Sequence, residues 1–368
     1  MSDEERDIHF TARALELASR GVGLVSPNPV VGCVIVSAAG DVVGEGTYTV
    51  GGVVHAEAIA LTEAGENARG GTAYVSLEPH GHHNRTPPCT DALINAAITR
   101  VVCPIEDPNP LVSGRGFEQL RRAGIEVVTG ILAAEAARLN EKFICWHQNQ
   151  RPFVHLKLAM SLDGRISVDN SVSTALSGNV ARARVQDLRH EHDAILIGGN
   201  TAAVDDPSLT DRSGKLRRRP LVRVVLDNRL QIPLTSTLVS TARGTPTIVF
   251  TNSRDTEKKD LLRDNDVVVV ELEMGGRDLA GILAELKKRE LQSVLVEGGT
   301  EVAGAFCDAR LVDKLTFIAA PLIIGGREAP TAIGGSGADS IANAMRIADL
   351  AVNELGRDIE ITGYPVNA

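Results

Sequence analysis

Aromatic residues are scarce in this 368-residue chain: one Trp, three Tyr and seven Phe, 3% in all. Its cores must therefore be built mostly from Val, Leu, Ile and Ala. Positive charge is also in deficit, with 38 Lys and Arg against 47 Asp and Glu and a net charge of −9. That argues against a nucleic-acid groove, which needs clustered cations to neutralise phosphates. It leaves room for a phosphorylated small molecule, which needs only a few local donors. The five cysteines, Cys33, Cys89, Cys103, Cys145 and Cys307, are odd in number and scattered. A disulfide framework is not expected, and a reducing cytoplasm is the simplest setting. No apolar run approaches the roughly 18–20 residues of a membrane span. The acidic start, Met1-Ser2-Asp3-Glu4-Glu5, has no apolar segment behind it as a signal peptide would.

What is present is an ordinary globular composition, 43% hydrophobic and 23% charged, at a length that suggests two domains. Ser2-x-x-Glu5 has the form of a capping box, and Ile8, Leu15 and Ala18 help mark an apolar stripe ending at Gly21. A β-branched run over 30–37 is turned by Ala38-Ala39-Gly40-Asp41 into a second short strand. A helix from about His55 to Gly65, a strand over 73–77, a polar loop over 78–88 and a helix from Cys89 follow. Then come strands at 101–102 and 125–128 and helices at 116–123 and 132–146. This alternation predicts a three-layer α/β domain. The polar stretch Gln148-Asn149-Gln150-Arg151-Pro152 is the boundary candidate, giving domains 1–148 and 149–368. Beyond it, β-rich runs at 153–158, 194–197, 221–226, 247–250, 267–270, 294–296 and 315–318 alternate with helical patterns at 180–190, 280–289 and 302–309. The second domain is also α/β.

Zinc deaminases use H-x-E followed by Pro-Cys with a further ligand nearby. The His and the cysteines hold Zn²⁺, and the Glu moves protons without binding the metal. Here His55-Ala56-Glu57 and Pro88-Cys89 supply those elements, both at predicted helix starts, where free N–H groups and the helix dipole favour thiolate. The third ligand position departs: Glu78-Pro79 is followed by His80 where the usual pattern has Cys. Imidazole binds zinc at about 2.0–2.1 Å against about 2.3 Å for thiolate, so His80 can serve with small adjustments. Neutral imidazole in place of an anion leaves the metal more electrophilic. His82 and His83 are further candidates in the same loop, whereas Cys33, Cys103, Cys145 and Cys307 read as core residues.

Over nearly its full length the chain resembles the bifunctional deaminase–reductases of bacterial riboflavin biosynthesis. The matching segments are Pro27-Asn28-Pro29 with Val31-Gly32, His55-Ala56-Glu57, Leu77-Glu78-Pro79, Arg85-Thr86-Pro87-Pro88-Cys89 and Asp107-Pro108-Asn109-Pro110. In the second half they are Leu156-Lys157-Leu158, Ser161-Leu162-Asp163-Gly164-Arg165, the run from Asp205 to Thr210, and Glu297-Gly298-Gly299-Thr300. The resemblance implies a cytidine-deaminase-like three-layer α/β/α domain and a dihydrofolate-reductase-like α/β domain. It implies Zn²⁺-dependent deamination of a diamino-hydroxypyrimidine carrying a ribosylamino phosphate, then NADPH-dependent reduction of the ribose to a ribityl chain. Carried over, His55, His80 and Cys89 are the zinc ligands and Glu57 the proton donor. Ala159, Ala175, Thr201, Asp205 and Asn228 fall at NADP-contacting positions. Ser173, Arg189, Leu209, Arg212 and Glu297 fall at substrate-contacting ones. With the apolar segment 318–324, the family also suggests a homodimer through the reductase domain. Tyr48, Val54, His80, Gly81, Asn84 and Ala175 depart from the family pattern.

Read from its own residues, the second half has no G-x-G-x-x-G after a strand, so a Rossmann site is not indicated. Ile197-Gly198-Gly199-Asn200-Thr201 and Glu297-Gly298-Gly299-Thr300 both follow strands, which suits a nucleotide crevice. Arg189 and Arg212 are plausible phosphate partners, Lys157 falls near the ribose, and Arg217-Arg218-Arg219 reads as a solvated loop able to attract the 2′-phosphate of NADPH. Three other readings stay open at this point. They are a reductase with a degenerate deaminase domain, a nucleic-acid or nucleoside deaminase, and a non-catalytic metal-binding interaction protein.

Overall fold

The computed structural model describes residues 2–48, 54–81, 88–110, 112–169 and 175–366, which fall into two compact units, Met1–Arg151 and Pro152–Ala368. The first unit contains α1 (Asp3–Ser19), β1 (Gly32–Val36), β2 (Val42–Thr47), α2 (Ala56–Ala64), β3 (Thr72–Val75) and α3 (Cys89–Asn95). It continues through β4 (Arg100–Cys103), α4 (Arg115–Arg122), β5 (Glu126–Thr129), α5 (Ala133–Leu139) and α6 (Glu141–Gln148). The expected capping box starts α1: Ser2 Oγ accepts from the Glu5 amide at 3.2 Å, and Glu5 accepts from the Ser2 amide at 2.8 Å. The sheet order is β2-β1-β3-β4-β5, antiparallel through β1 and parallel from β3 onward.

Side-chain alternation along these strands makes the three layers. Val34, Val36, Tyr74 and Val102 pack beneath Phe10, Ala14 and Leu17 of α1. Cys33, Ile35, Ala73, Val75, Val101 and Cys103 face the other way, onto Ala56, Ala60 and Ala64 of α2, Leu93 of α3, and Phe117 and Leu120 of α4. Helix α2 lies unusually close to its strand. A Cβ on Gly44 would meet the Ala60 carbonyl oxygen at 2.0 Å, and one on Gly46 the Ala56 oxygen at 2.0 Å. Alanines on the helix and glycines on β2 thus set the height of the helix start that carries His55.

The helix read over 132–146 is broken at Asn140 into α5 and α6. The Asn140 side chain leaves the helical path to bond the Val30 amide and carbonyl, each at 3.0 Å. That pair ties down the loop containing Pro27-Asn28-Pro29.

The second unit is a nine-stranded sheet ordered β10-β9-β8-β7-β11-β6-β12-β14-β13. Its elements are β6 (Phe153–Ser161), α7 (Asn179–Glu191), β7 (Ala194–Gly198), α8 (Gly199–Asp205), β8 (Val222–Leu226), α9 (Thr237–Ser240), β9 (Thr247–Thr251) and α10 (Thr256–Asp264). Then follow β10 (Val268–Glu271), α11 (Leu279–Lys288), β11 (Ser293–Val296), α12 (Thr300–Asp308), β12 (Lys314–Ala320), β13 (Arg346–Leu355) and β14 (Asp358–Val366). The strands from β10 to β12 are parallel, and β14 and β13 add antiparallel. The central strands read as unbroken apolar runs because both faces are covered. Leu196, Val224 and Phe250 join one core, and Ile195, Val225 and Val249 the other. The C-terminal hairpin β13–β14 has no counterpart in the sequence reading. The expected strand over 318–324 is corrected: β12 ends at Ala320 and is flanked on both sides by β6 and β14. No helix among the described residues is long and apolar enough to cross a membrane.

Candidate functional site

In the first unit, His55 is the N-cap residue of α2 and Cys89 the first residue of α3, directly after Pro88. His80 lies in the loop leaving β3. The ligand atoms of His55, His80 and Cys89 all lie within 4.8 Å of one another, and the two imidazole rings are 4.6 Å apart. Ligands of a tetrahedral zinc sit about 3.3–3.8 Å apart at normal bond lengths, so small inward rotations close the set. Three protein donors leave a fourth position open, as a catalytic rather than a structural zinc requires.

Glu57 follows in the first turn of α2, 3% exposed. Its Oε2 is buried and has no hydrogen-bond partner among the described residues. Burial pushes the Glu57 carboxyl pKa up, against the opposing pull of its own backbone amide, His55 and Cys89. Burial and the Glu57 charge push the Cys89 thiol up as well. A divalent cation between these groups would reverse that and hold the thiolate. The donor set and the orphaned carboxylate oxygen therefore fit Zn²⁺.

Contacts between distant residues hold this geometry, and the sequence did not reveal those partners. Glu78 accepts four backbone amides: Asp107 and Gly114 on Oε2 at 3.0 and 2.9 Å, Gly116 and Phe117 on Oε1 at 2.9 and 3.3 Å. Pro79 is seated against Gly116, where a Cβ would meet the Pro79 carbonyl oxygen at 1.9 Å. The Thr90 amide donates to the His80 carbonyl at 3.4 Å. Thr90 Oγ1 bonds Gln119, which in turn donates to Asp91. Asp107, buried beside Glu78, has its pKa raised to about 6, chiefly by burial and then by the Glu78 charge, against the Asn109 amide. Tyr48 packs 5.4 Å from the His55 ring and accepts from Asn28 Nδ2 at 3.0 Å. Val54 is exposed, and Gly81 has room for a Cβ only if the Gln119 side-chain end moves. Asn84, His82 and His83 lie outside the described residues.

In the second unit, a cleft of about 1130 Å³ runs along the carboxyl ends of β6, β11, β7 and β8. That is where ligands bind in open parallel α/β sheets. Ala159, Thr201, Asp205, Asn228 and Glu297 line it, with Lys157, Gly198, Gly199, Gly298 and Gly299. The paired glycines and this volume fit a dinucleotide such as NADPH beside a substrate. Glu297 is held between Arg189 (2.9 and 3.1 Å) and Lys157 (3.3 Å). Burial would raise its pKa, but the two cations prevail and bring it down to about 2. Arg189 reaches the cleft through this ion pair.

Other expected contacts are placed elsewhere. Leu209 is buried in the core on one face of the sheet, with a positive φ of 47°, and Ala175 and Arg212 are exposed. None of the three lines the cleft. Ser173 lies outside the described residues. The solvated-loop reading of the arginine run is corrected at Arg217. Its guanidinium bonds the carbonyls of Arg189, His190 and His192 and pairs with Asp211 at 3.0 Å, capping the end of α7. It is therefore committed inside the protein. Arg219 is likewise tied down, to the Glu290 carbonyl and Asp193.

Against known proteins, residues 152–361 match the family model of the RibD C-terminal domain. Residues 4–105 match the cytidine and deoxycytidylate deaminase zinc-binding region. The chain is 40% identical over 355 residues to the riboflavin biosynthesis protein RibD of Actinobacillus pleuropneumoniae, covering 96% of this chain and 94% of that one. It is 38% identical over 365 residues to RibD of Escherichia coli, covering 96% and 98%. The solved structure of Acinetobacter baumannii RibD superposes with a TM-score of 0.87 at 36% identity over 99% of this chain and all of that one. A deaminase/reductase of Thermotoga maritima gives 0.87 at 33% identity, over 99% and 100%.

Proposed function

The chain belongs to the RibD family of bifunctional deaminase–reductases of riboflavin biosynthesis, and on that premise we propose how its own residues divide the work. The enzyme carries out a deamination and a reduction, with Zn²⁺ and NADPH as cofactors. In the first unit, His55, His80 and Cys89 would hold the metal, which would supply the Lewis acidity that makes a water nucleophilic near neutral pH. Glu57 is the residue that would accept a proton from the attacking water and return it to the departing amino group. The pyrimidine carbon gains oxygen, and ammonia leaves. A carboxyl whose pKa is raised by burial suits both acceptance and return of the proton. The substrate is a diamino-hydroxypyrimidine bearing a ribosylamino phosphate, as the name of the Thermotoga maritima enzyme describes for that protein.

In the second unit, NADPH held in the cleft would supply the hydride that reduces the ribose carbon. Lys157 and Glu297, paired at 3.3 Å on the cleft floor, orient the sugar, and Arg189 fixes Glu297 as a carboxylate. Ala159, Thr201, Asp205 and Asn228 line the cofactor's side of the cleft. Ala175, Ser173, Leu209 and Arg212 are proposed contacts that the family positions alone support.

The observation that carries the deaminase reading is the convergence of His55, His80 and Cys89 beside the orphaned Glu57 oxygen. It favours an active site over a degenerate domain. The test is to assay the half-reactions separately: ammonia release from the diamino substrate without NADPH, and NADPH oxidation with the deaminated product. Ammonia release at background with intact reduction would leave the chain a reductase alone. We also propose a cytoplasmic setting, supported by five free thiols. A homodimer through the second unit is supported by the edge strand β13, where Leu350 is 63% and Val352 65% exposed.

A further inference from the structure

We propose that Arg229 and Arg277 form the subsite that reads the 2′-phosphate of the cofactor and sets its preference for NADPH over NADH. The inference rests on the reductase reading above. Lys157 and Glu297 line one end of this stretch of the cleft, on β6 and just beyond β11, and Asn228 and Arg229 line the other, just beyond β8. β6, β11, β7 and β8 are successive neighbours, so about 14 Å separates the two ends, at about 4.8 Å per strand. An extended dinucleotide with its nicotinamide at the Lys157 end therefore lays its adenosine half over the end of β8.

Two guanidiniums wait there. Arg229 and Arg277 both line the cleft and both are exposed. Neither guanidinium makes an ion pair or hydrogen bond among the described residues, whereas those of Arg189 and Arg217 are committed to Glu297 and to the end of α7. The segment bearing Arg277 is fixed against β8, because Asn228 Oδ1 accepts from the Gly276 amide. Gly275, with φ +57°, sits so close that a Cβ would be 2.1 Å from that oxygen. Asn228 thus joins the two arginine-bearing loops.

The neighbouring acids are occupied. In nicotinamide sites an acid at this place bonds the free ribose 2′-hydroxyl, whereas an arginine accepts a 2′-phosphate. Asp227 is 2% exposed, turned inward, and accepts from the Ile232 amide at 2.8 Å. Asp278 caps α11 through the Gly281 amide at 2.9 Å. Neither Asp227 nor Asp278 therefore pairs with Arg229 or Arg277. A planar guanidinium can meet a phosphate with two parallel hydrogen bonds, which lysine cannot. Arg327 also lines the cleft, from the segment after β12, beyond β6 and away from this end.

The test is equilibrium binding of NADPH and of NADH to the full chain, read by nicotinamide fluorescence or calorimetry. The variants are Arg229→Ala, Arg277→Ala, the double variant, Arg277→Lys and Arg327→Ala. Each single alanine variant is expected to weaken NADPH roughly tenfold and the double roughly a hundredfold, with NADH affinity unchanged. Arg277→Lys recovers part of the loss, and Arg327→Ala keeps the preference. The proposal is overturned if NADPH and NADH weaken together, if the preference survives the double substitution, or if it collapses in Arg327→Ala. Wild-type chain that binds neither nucleotide overturns the reductase reading and the subsite with it.

Discussion

Glu57 in the first unit and Glu297 in the second are both buried carboxylates at a reaction site, and their proton affinities are displaced in opposite directions. Both feel the same desolvation, which favours the neutral acid. Glu297 has Lys157 and Arg189 against it and stays ionised down to about pH 2. Glu57 has no Lys or Arg partner among the described residues, only the weaker pull of its own amide, His55 and Cys89, and its Oε2 has no hydrogen-bond partner there. Partners, not burial, decide whether a buried acid becomes a fixed charge or a mobile proton carrier. In the proposed scheme the first kind holds a sugar in place and the second serves a deamination.

The largest expected effect breaks one side of the pair alone. Glu57→Gln should lower ammonia release about 10²–10⁴-fold, the range for loss of a general acid–base, while NADPH oxidation with the deaminated product holds. If both half-reactions fall together, the two acids do not serve separate sites.

Glu297→Gln attacks the other side. It leaves Lys157 and Arg189 buried without their counter-ion, which typically costs about 3–5 kcal/mol. Denaturant unfolding followed by a probe in the second unit should show that loss, and zinc content should not change.

The pH dependence sharpens the contrast. The folded pKa of Glu297 lies below its ordinary value, so its contribution is fully present above about pH 4.5 and is lost as pH falls towards about 2. Melting temperatures of the wild type should drop through that window more steeply than those of Glu297→Gln.

Asp107 gives the smallest effect and the opposite sign. Its folded pKa is raised to about 6, so its contribution is present below about pH 4 and lost as pH rises through 6. Asp107→Asn, which stays neutral, should gain up to about 3 kcal/mol over wild type at pH 8 and lose that gain below pH 4. A constant difference across pH would show that Asp107 does not titrate as a buried acid.

Much of this was legible in the chain because the informative words are local. His55-Ala56-Glu57 and Pro88-Cys89 fix residues relative to helix starts, and the β-branched runs of the second half mark strands covered on both faces. What escaped depends on distant partners. The break at Asn140 exists because its side chain bonds Val30, 110 residues away. Arg217 looked solvated until the fold brought the end of α7 beneath it. Glu78 read as a motif residue, yet its four amide partners come from residues 107–117. The hairpin β13–β14 gave no strand signal because β13 is mostly exposed and carries Ala, Asp, Asn and Glu among its apolar residues.

The central claim is that a histidine completes the deaminase centre where the family pattern has cysteine. Zinc per chain and ammonia release, measured together in wild type, His80→Ala and His80→Cys, test it most directly. One zinc per chain in wild type, its loss together with ammonia release in His80→Ala, and zinc retained in His80→Cys are the expected results. Full zinc and undiminished ammonia release in His80→Ala would contradict the assignment.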